Sequence, residues 1–172
     1  MTAVERHLRA CDGFTAVVEQ VGDGWQRPSP CTEWDARAVL EHVIGFHDVL
    51  VLRPAAAKPS RPRDDPVARW SVTVVALAPV LRQEPPELLP LITTDVLVHT
   101  WDLAKAVDVP ADLDADLWRS AYERAMAHVD SLASSGMYAP PVPVPPVDGR
   151  DGPDPVVGLV ALMGRDPAWT AP

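Results

Sequence analysis

An all-α fold is what this sequence predicts: an up-and-down four-helix bundle with an added C-terminal helix and a proline-rich wrapping tail. Three observations point there. Five stretches carry apolar residues at the three-and-four spacing of amphipathic helices, and most open on a capping side chain. No stretch reads convincingly as a strand. After the fifth stretch, "YAPPVPVPPVDGRDGPDP" is too rich in proline for regular structure, because proline fixes φ and removes a donor.

The first helix is expected over about residues 2–22. Val4, Leu8, Cys11, Phe14, Val17, Val18 and Val21 form its apolar stripe, Thr2 and Glu5 stand in capping-box positions, and Gly22 can end it. A turn-rich loop follows. The second helix starts near Asp35, capped by Thr32 or Asp35, and runs to just before Pro54 with Val39, Leu40, Val43, Ile44, His47 and Leu50 on its main stripe. The third begins at Asp65-Pro66, a cap followed by a first-turn proline. Its β-branched run is too long for one strand, and Pro79 would interrupt a ladder. The fourth covers about 87–107, with Pro90 near its start. The fifth covers about 114–135 and ends by Gly136. The tail is 138–172, in which "VVGLVALMG" can supply a final turn or two of helix. The whole chain of 172 residues reads as one domain, with its bundle over about 2–107. Val39, Val43, Ile44, Leu97 and Leu103 are expected in the core.

A net charge of −9 without a Lys/Arg cluster argues against nucleic acid. No apolar run reaches the ~18 residues of a membrane span, and the charged N-terminus lacks an apolar signal segment, so a cytoplasmic protein with no membrane partner is expected. Cys11 and Cys31 then read as free thiols. A small-molecule substrate suits such a chain, and a homodimer stays open.

Polar residues on apolar helix faces are the informative ones. In "TTDVLVHTWDLAKAV", Asp95 and His99 are one helical turn apart, with Asp102 three residues further on. His42 lies beside the apolar stripe of the second helix, and His47 lies on it. Helical bundles build metal sites from such inward-facing side chains. Two imidazoles and a carboxylate are ligands for a divalent first-row metal and leave a fourth position for water or substrate. The same trio resembles the facial arrangement of non-haem Fe(II), and Asp102 could orient an imidazole from outside the ligand set. On spacing alone a surface Asp/His pair and a satisfied core histidine are the commoner readings, with His47 as the alternate ligand to His42. His7 and His128 read as solvated, and Trp34 and Trp101 as packing residues.

Three motifs add a resemblance. "PSPCTEWDARAVLEHVIG" resembles a Pro-Cys-x-x-Trp loop before a helix whose histidine binds metal. "TTDVLVHTWDLAKAV" resembles its companion, an acidic residue followed by His-x-Trp-Asp-Leu-Ala, and "GLVALMGRDPAW" is similar to the usual ending. Together they resemble the mycothiol-dependent maleylpyruvate isomerase N-terminal domain family, within the DinB/YfiT-like superfamily of four-helix bundles frequent in actinobacteria. The nearest likeness is to its small single-domain, metal-binding branch. The resemblance implies His42, Asp95 and His99 as ligands. The ion it implies is zinc foremost, with nickel or iron as alternatives, and a low-molecular-weight thiol as co-substrate. The implied activity is a thiol-dependent transferase or isomerase acting on a small electrophile; the alternative is a non-catalytic metal-binding or interaction protein. The connection "RQEPPELLP" is shorter than is usual in the family, and a proline-rich tail stands where the isomerase has a further domain. Both departures point away from maleylpyruvate isomerisation itself. If the three ligands share zinc, their donors converge to about 2.0–2.2 Å from it, and affinity falls as pH drops through about 6.5, where imidazole takes its proton.

Overall fold

The computed structural model describes residues 1–111, 113–136, 138–144 and 152–172. Among them all regular structure is helical, and only one isolated bridge, Pro28 to Asp35, has β character. The chain divides into two compact units, Met1–Asp112 with Ala171–Pro172, and Leu113–Thr170. The division falls where the sequence passes from bundle to added helix.

In the first unit, α1 (Ala3–Val18) opens on the expected capping box. The Thr2 hydroxyl accepts from the Glu5 N–H at 3.1 Å, and the Glu5 carboxylate accepts from the Thr2 N–H at 2.7 Å. The helix stops four residues earlier than expected, before the turn at Gly22, where φ is +55°. Asp35 caps α2 (Ala36–His47) by accepting from the Ala38 N–H at 2.7 Å. The expected continuation to Pro54 is present as a π-helical turn, Asp48–Leu52, whose wider winding turns Val51 and Leu52 into the core. Asp65 caps α3 (Pro66–Gln83). Pro79 lies inside α3 on its exposed face, so the carbonyl it leaves without a helical partner, on exposed Val75, can meet water. The last helix of the unit, α4 (Leu89–Val107), has nearly every side chain buried. All five expected core residues, Val39, Val43, Ile44, Leu97 and Leu103, are buried.

Around the bundle α1 neighbours α4 and α3, and α2 neighbours the same two, so α1 faces α2 across the axis. Contacts fix the directions. His7 meets Thr93 near the starts of α1 and α4, which therefore run parallel. Thr15 meets Trp70, so α3 runs against α1. Glu41 pairs with Arg69, and Leu52 clusters with Leu77 and Leu81, so α2 and α3 run parallel. The order is thus up-down-down-up, a refinement of the strict alternation expected from sequence. The 53–65 connection makes it feasible, being long enough to carry the chain back along the bundle. Arg61 anchors that connection with two hydrogen bonds to the Asp48 carboxylate, at 2.7 and 3.0 Å, and one to the Thr73 hydroxyl at 2.7 Å.

Trp70 sits where α1 and α3 meet, 1 % exposed, edge-on to Phe14 and donating its indole N–H to the Thr15 hydroxyl at 2.8 Å. Trp70→Ala is expected to cost about 3–5 kcal/mol in a denaturant melt. A loss below about 1 kcal/mol would show that this contact is not part of the core.

The second unit holds α5 (Ala115–Ala127), α6 (Val129–Ser135) and α7 (Pro155–Leu162). The single fifth helix expected over 114–135 is broken at His128, whose φ of −126° leaves the helical region. The "VVGLVALMG" segment does form a helix, α7, capped by Asp154. It packs on α5 at Gly158, where a Cβ would come within 2.7 Å of the Tyr122 ring. Residues 138–144 lack regular structure, as proline predicts, and the middle of the tail lies outside the described residues. Among the described residues no helix is long and apolar enough to cross a membrane.

Candidate metal centre

Because α2 and α4 are antiparallel neighbours, one turn of each faces the other midway along the bundle. His42 projects from α2; Asp95 and His99, at i and i+4, project from one face of α4. One ligand atom from each lies within 4.8 Å of the others. His42 Nε2 is 3.2 Å from Asp95 Oδ1, His99 Nε2 is 3.5 Å from the same oxygen, and the two imidazole centroids are 4.7 Å apart. Donors about 2.0–2.2 Å from one tetrahedral ion stand roughly 3.3–3.6 Å from each other, so the two imidazole-to-carboxylate separations are close to that spacing. The other carboxylate oxygen, Asp95 Oδ2, is buried and has no hydrogen-bond partner. A buried carboxylate oxygen is costly to leave unpaired, and a metal cation or a further hydrogen-bond donor would satisfy it.

Asp102 stands where an orienting group was expected. Wholly buried, its Oδ2 accepts from His99 Nδ1 at 2.9 Å, which directs the Nε2 face of the ring toward Asp95. Electrostatics follow from this enclosure. Burial alone would lower the His99 pKa, but the Asp95 carboxylate and the hydrogen bond to Asp102 outweigh it and raise the pKa to about 9. Burial likewise works to raise the Asp95 pKa, and the His99 charge with the His42 hydrogen bond holds it well below the carboxylate range. Trp34 does more than pack: its ring lies 4.9 Å from His42 and stacks on His99 at 5.7 Å, while Phe46 stacks on His42 at 5.5 Å. The His42 side chain is 30 % exposed whereas the other two are nearly closed off, so solvent reaches the centre from the α2 side. Trp101 is a packing residue, as expected.

His47, the alternate ligand, is not grouped with this trio. It and His7 are fully buried, with their Nε2 atoms 3.1 Å apart. The solvated position expected for His7 is thereby corrected. Glu5, Arg6 and Arg9 surround it in sequence, but His7 shares its helix face with Cys11, four residues on, and that spacing with the apolar stripe was the available signal. Cys11 Sγ lies 3.6 Å from His7 Nε2. Burial pushes His7 down to about 3 and His47 down to about 4, the latter partly offset by the Val43 carbonyl, and it pushes the Cys11 thiol up. Cys11 and Cys31 are both free thiols. His128 is exposed, as expected.

Fold and centre together define a class: helical bundles that set a metal-ligand type of donor group between facing helices. Within it, this chain belongs to the mycothiol maleylpyruvate isomerase N-terminal domain family, whose model matches residues 7–89. That span contains His42 and ends before Asp95 and His99. Two proteins of Mycobacterium tuberculosis, from strains CDC 1551 and H37Rv and both described as uncharacterized, are each 34% identical over 185 residues. Each alignment covers 96% of this chain and 98% of the relative. No solved structure matches.

Proposed function

We propose that the chain binds a divalent metal ion, zinc foremost with nickel or iron as alternatives, through His42, Asp95 and His99. We further propose that it serves as a thiol-dependent transferase or isomerase acting on a small electrophile, with a mycothiol-like thiol as co-substrate. The observation that carries the metal assignment is the buried, unpartnered Asp95 Oδ2 beside two converging imidazoles. A divalent ion held there would keep a thiol sulfur as thiolate at neutral pH. The protein's own residues supply the rest. Asp102 fixes the His99 ring, Trp34 and Phe46 hold the imidazole planes and shield them from water, and the exposed edge of His42 marks where a small molecule would enter. The family's mycothiol link supports the choice of thiol. The alternative is a non-catalytic metal-binding protein, in which the ion only holds the fold. A structural zinc takes four protein ligands, whereas the group here offers three and opens to solvent, which favours the catalytic reading.

Mycothiol added to the zinc-loaded chain in weak buffer at pH 7 is expected to release about one proton per chain, with none from chelator-treated protein. Glutathione serves as the comparison thiol. Stoichiometric zinc without any proton release would leave the non-catalytic alternative standing, and failure to take up zinc, nickel or iron stoichiometrically would remove both.

A further inference from the structure

The second cluster, across the bundle between α1, α2 and α4, has a hydrogen count that does not close. The Val43 carbonyl can only accept, so at 2.7 Å His47 carries its hydrogen on Nδ1. The Leu89 carbonyl can only accept as well, so the Thr93 hydroxyl hydrogen points to it at 2.7 Å. Thr93 Oγ1 must then accept from His7 Nδ1–H at 3.0 Å. Both neutral rings have thereby committed their single hydrogen to Nδ1, and their Nε2 lone pairs face each other at 3.1 Å. Four contacts share the three hydrogens that Thr93 and two neutral imidazoles own. The Cys11 S–H, 3.6 Å from His7 Nε2, can donate to one ring nitrogen but cannot bridge the pair.

The geometry points to a second metal site in this protein, in which His7 Nε2, His47 Nε2 and Cys11 Sγ hold a thiophilic d10 cation, Cu(I) or Zn(II), in the bundle interior. Around a tetrahedral ion with Zn–N near 2.0–2.1 Å and Zn–S near 2.3 Å, nitrogen pairs stand about 3.3 Å apart and nitrogen–sulfur pairs about 3.6 Å. The observed 3.1 and 3.6 Å leave little to adjust. All three residues are completely buried, and one ligand atom of each lies within 4.8 Å of the others. On binding, the Cys11 S–H bond breaks, its proton leaves to buffer and the sulfur pair joins the cation, so Cu(I) makes the assembly neutral and Zn(II) leaves it one positive charge. Neutrality in a dry interior and a donor set of three favour Cu(I). Such an ion, closed to substrate, would tie α1 to α2, the two helices that face each other across the axis.

The test uses the full-length chain carrying His42→Ala, which removes the first centre at its most exposed ligand. Because the interior is closed, the protein is refolded with Co(II), as a spectroscopic stand-in for zinc, or with Cu(I) against a bathocuproine competitor. One cation per chain is expected, with a near-ultraviolet thiolate-to-cobalt band in the cobalt sample, and Cys11→Ser should lose the band and the copper while Cys31→Ala keeps them. In case Cys11→Ser does not fold, imidazole 15N NMR on the unsubstituted chain gives a second reading: either cation should shift Nε2 of His7 and His47 together. Failure to take up either cation, or uptake indifferent to Cys11→Ser, would overturn the assignment. So would a buried imidazolium signal that neither cation displaces, since a proton would then complete the fourth contact. Loss of zinc from the first centre alone leaves these readings untouched, so the two proposals fail separately.

Discussion

His99→Ala is expected to abolish stoichiometric metal binding at the first centre while leaving far-UV helicity largely intact. The imidazole is the middle member of the constellation, 3.5 Å from Asp95 through Nε2 and 2.9 Å from Asp102 through Nδ1. Its removal takes away one of three protein donors, a greater loss than the roughly 10–100-fold that Asp102→Asn, which disturbs only the support of that donor, should cost in affinity. Helicity persists because each helix has its own apolar face. The thermal midpoint should nevertheless fall, since Asp95 and Asp102 remain as buried carboxylates without the cation between them. Breaking a buried pair of this kind costs about 3–5 kcal/mol. Zinc titration by calorimetry beside thermal melts of the ion-free protein separates the two effects. Unaltered zinc affinity in this variant would remove His99 from the ligand set, and wholesale loss of helicity would mean that the centre holds the fold together.

The second large effect is on pH. From sequence, zinc affinity should fall below about pH 6.5, the ordinary imidazole range. The structure moves that threshold, because His99 in the ion-free protein titrates near 9. Zinc must displace its proton throughout the neutral range, so affinity should climb about tenfold per pH unit from 6.5 up to about 9 and then level. Stability of the ion-free protein follows from the same shifts. His99 has a raised folded pKa, so its contribution is complete below about 6.5 and is lost as pH rises through about 9. His7 and His47 have depressed folded values of about 3 and about 4. Their unfolded forms take up protons first, so stability is lost as pH falls from 6.5 toward those values. The ion-free melting temperature should therefore peak near pH 6.5, with a flank on each side, and zinc at the first centre should flatten the alkaline flank. An alkaline flank that zinc leaves unchanged would sink the assignment of His99 as a ligand. An acid flank unchanged by His47→Gln would show that the buried pair does not set it.

The sequence by itself determined the local structure and the part of the first centre that lies on α4. Apolar spacing and the caps at Thr2, Asp35 and Asp65 act within a few residues, so helix starts were legible to a residue or so. Asp95, His99 and Asp102 were legible for the same reason: i, i+4 and i+7 on one helix is a fixed geometry. What only the tertiary structure decided is which helices face one another. The choice of His42 over His47 depends on the rotation of α2 against α4, and no spacing within α2 contains it. The parallel course of α2 and α3 depends on how the 53–65 connection travels. The pairing of His7 with His47, residues from helices that meet only across the bundle axis, is set by packing of the interior alone. Charged neighbours in sequence made His7 look solvated, but a side chain's surroundings are fixed by its helix face and by what the fold lays against that face.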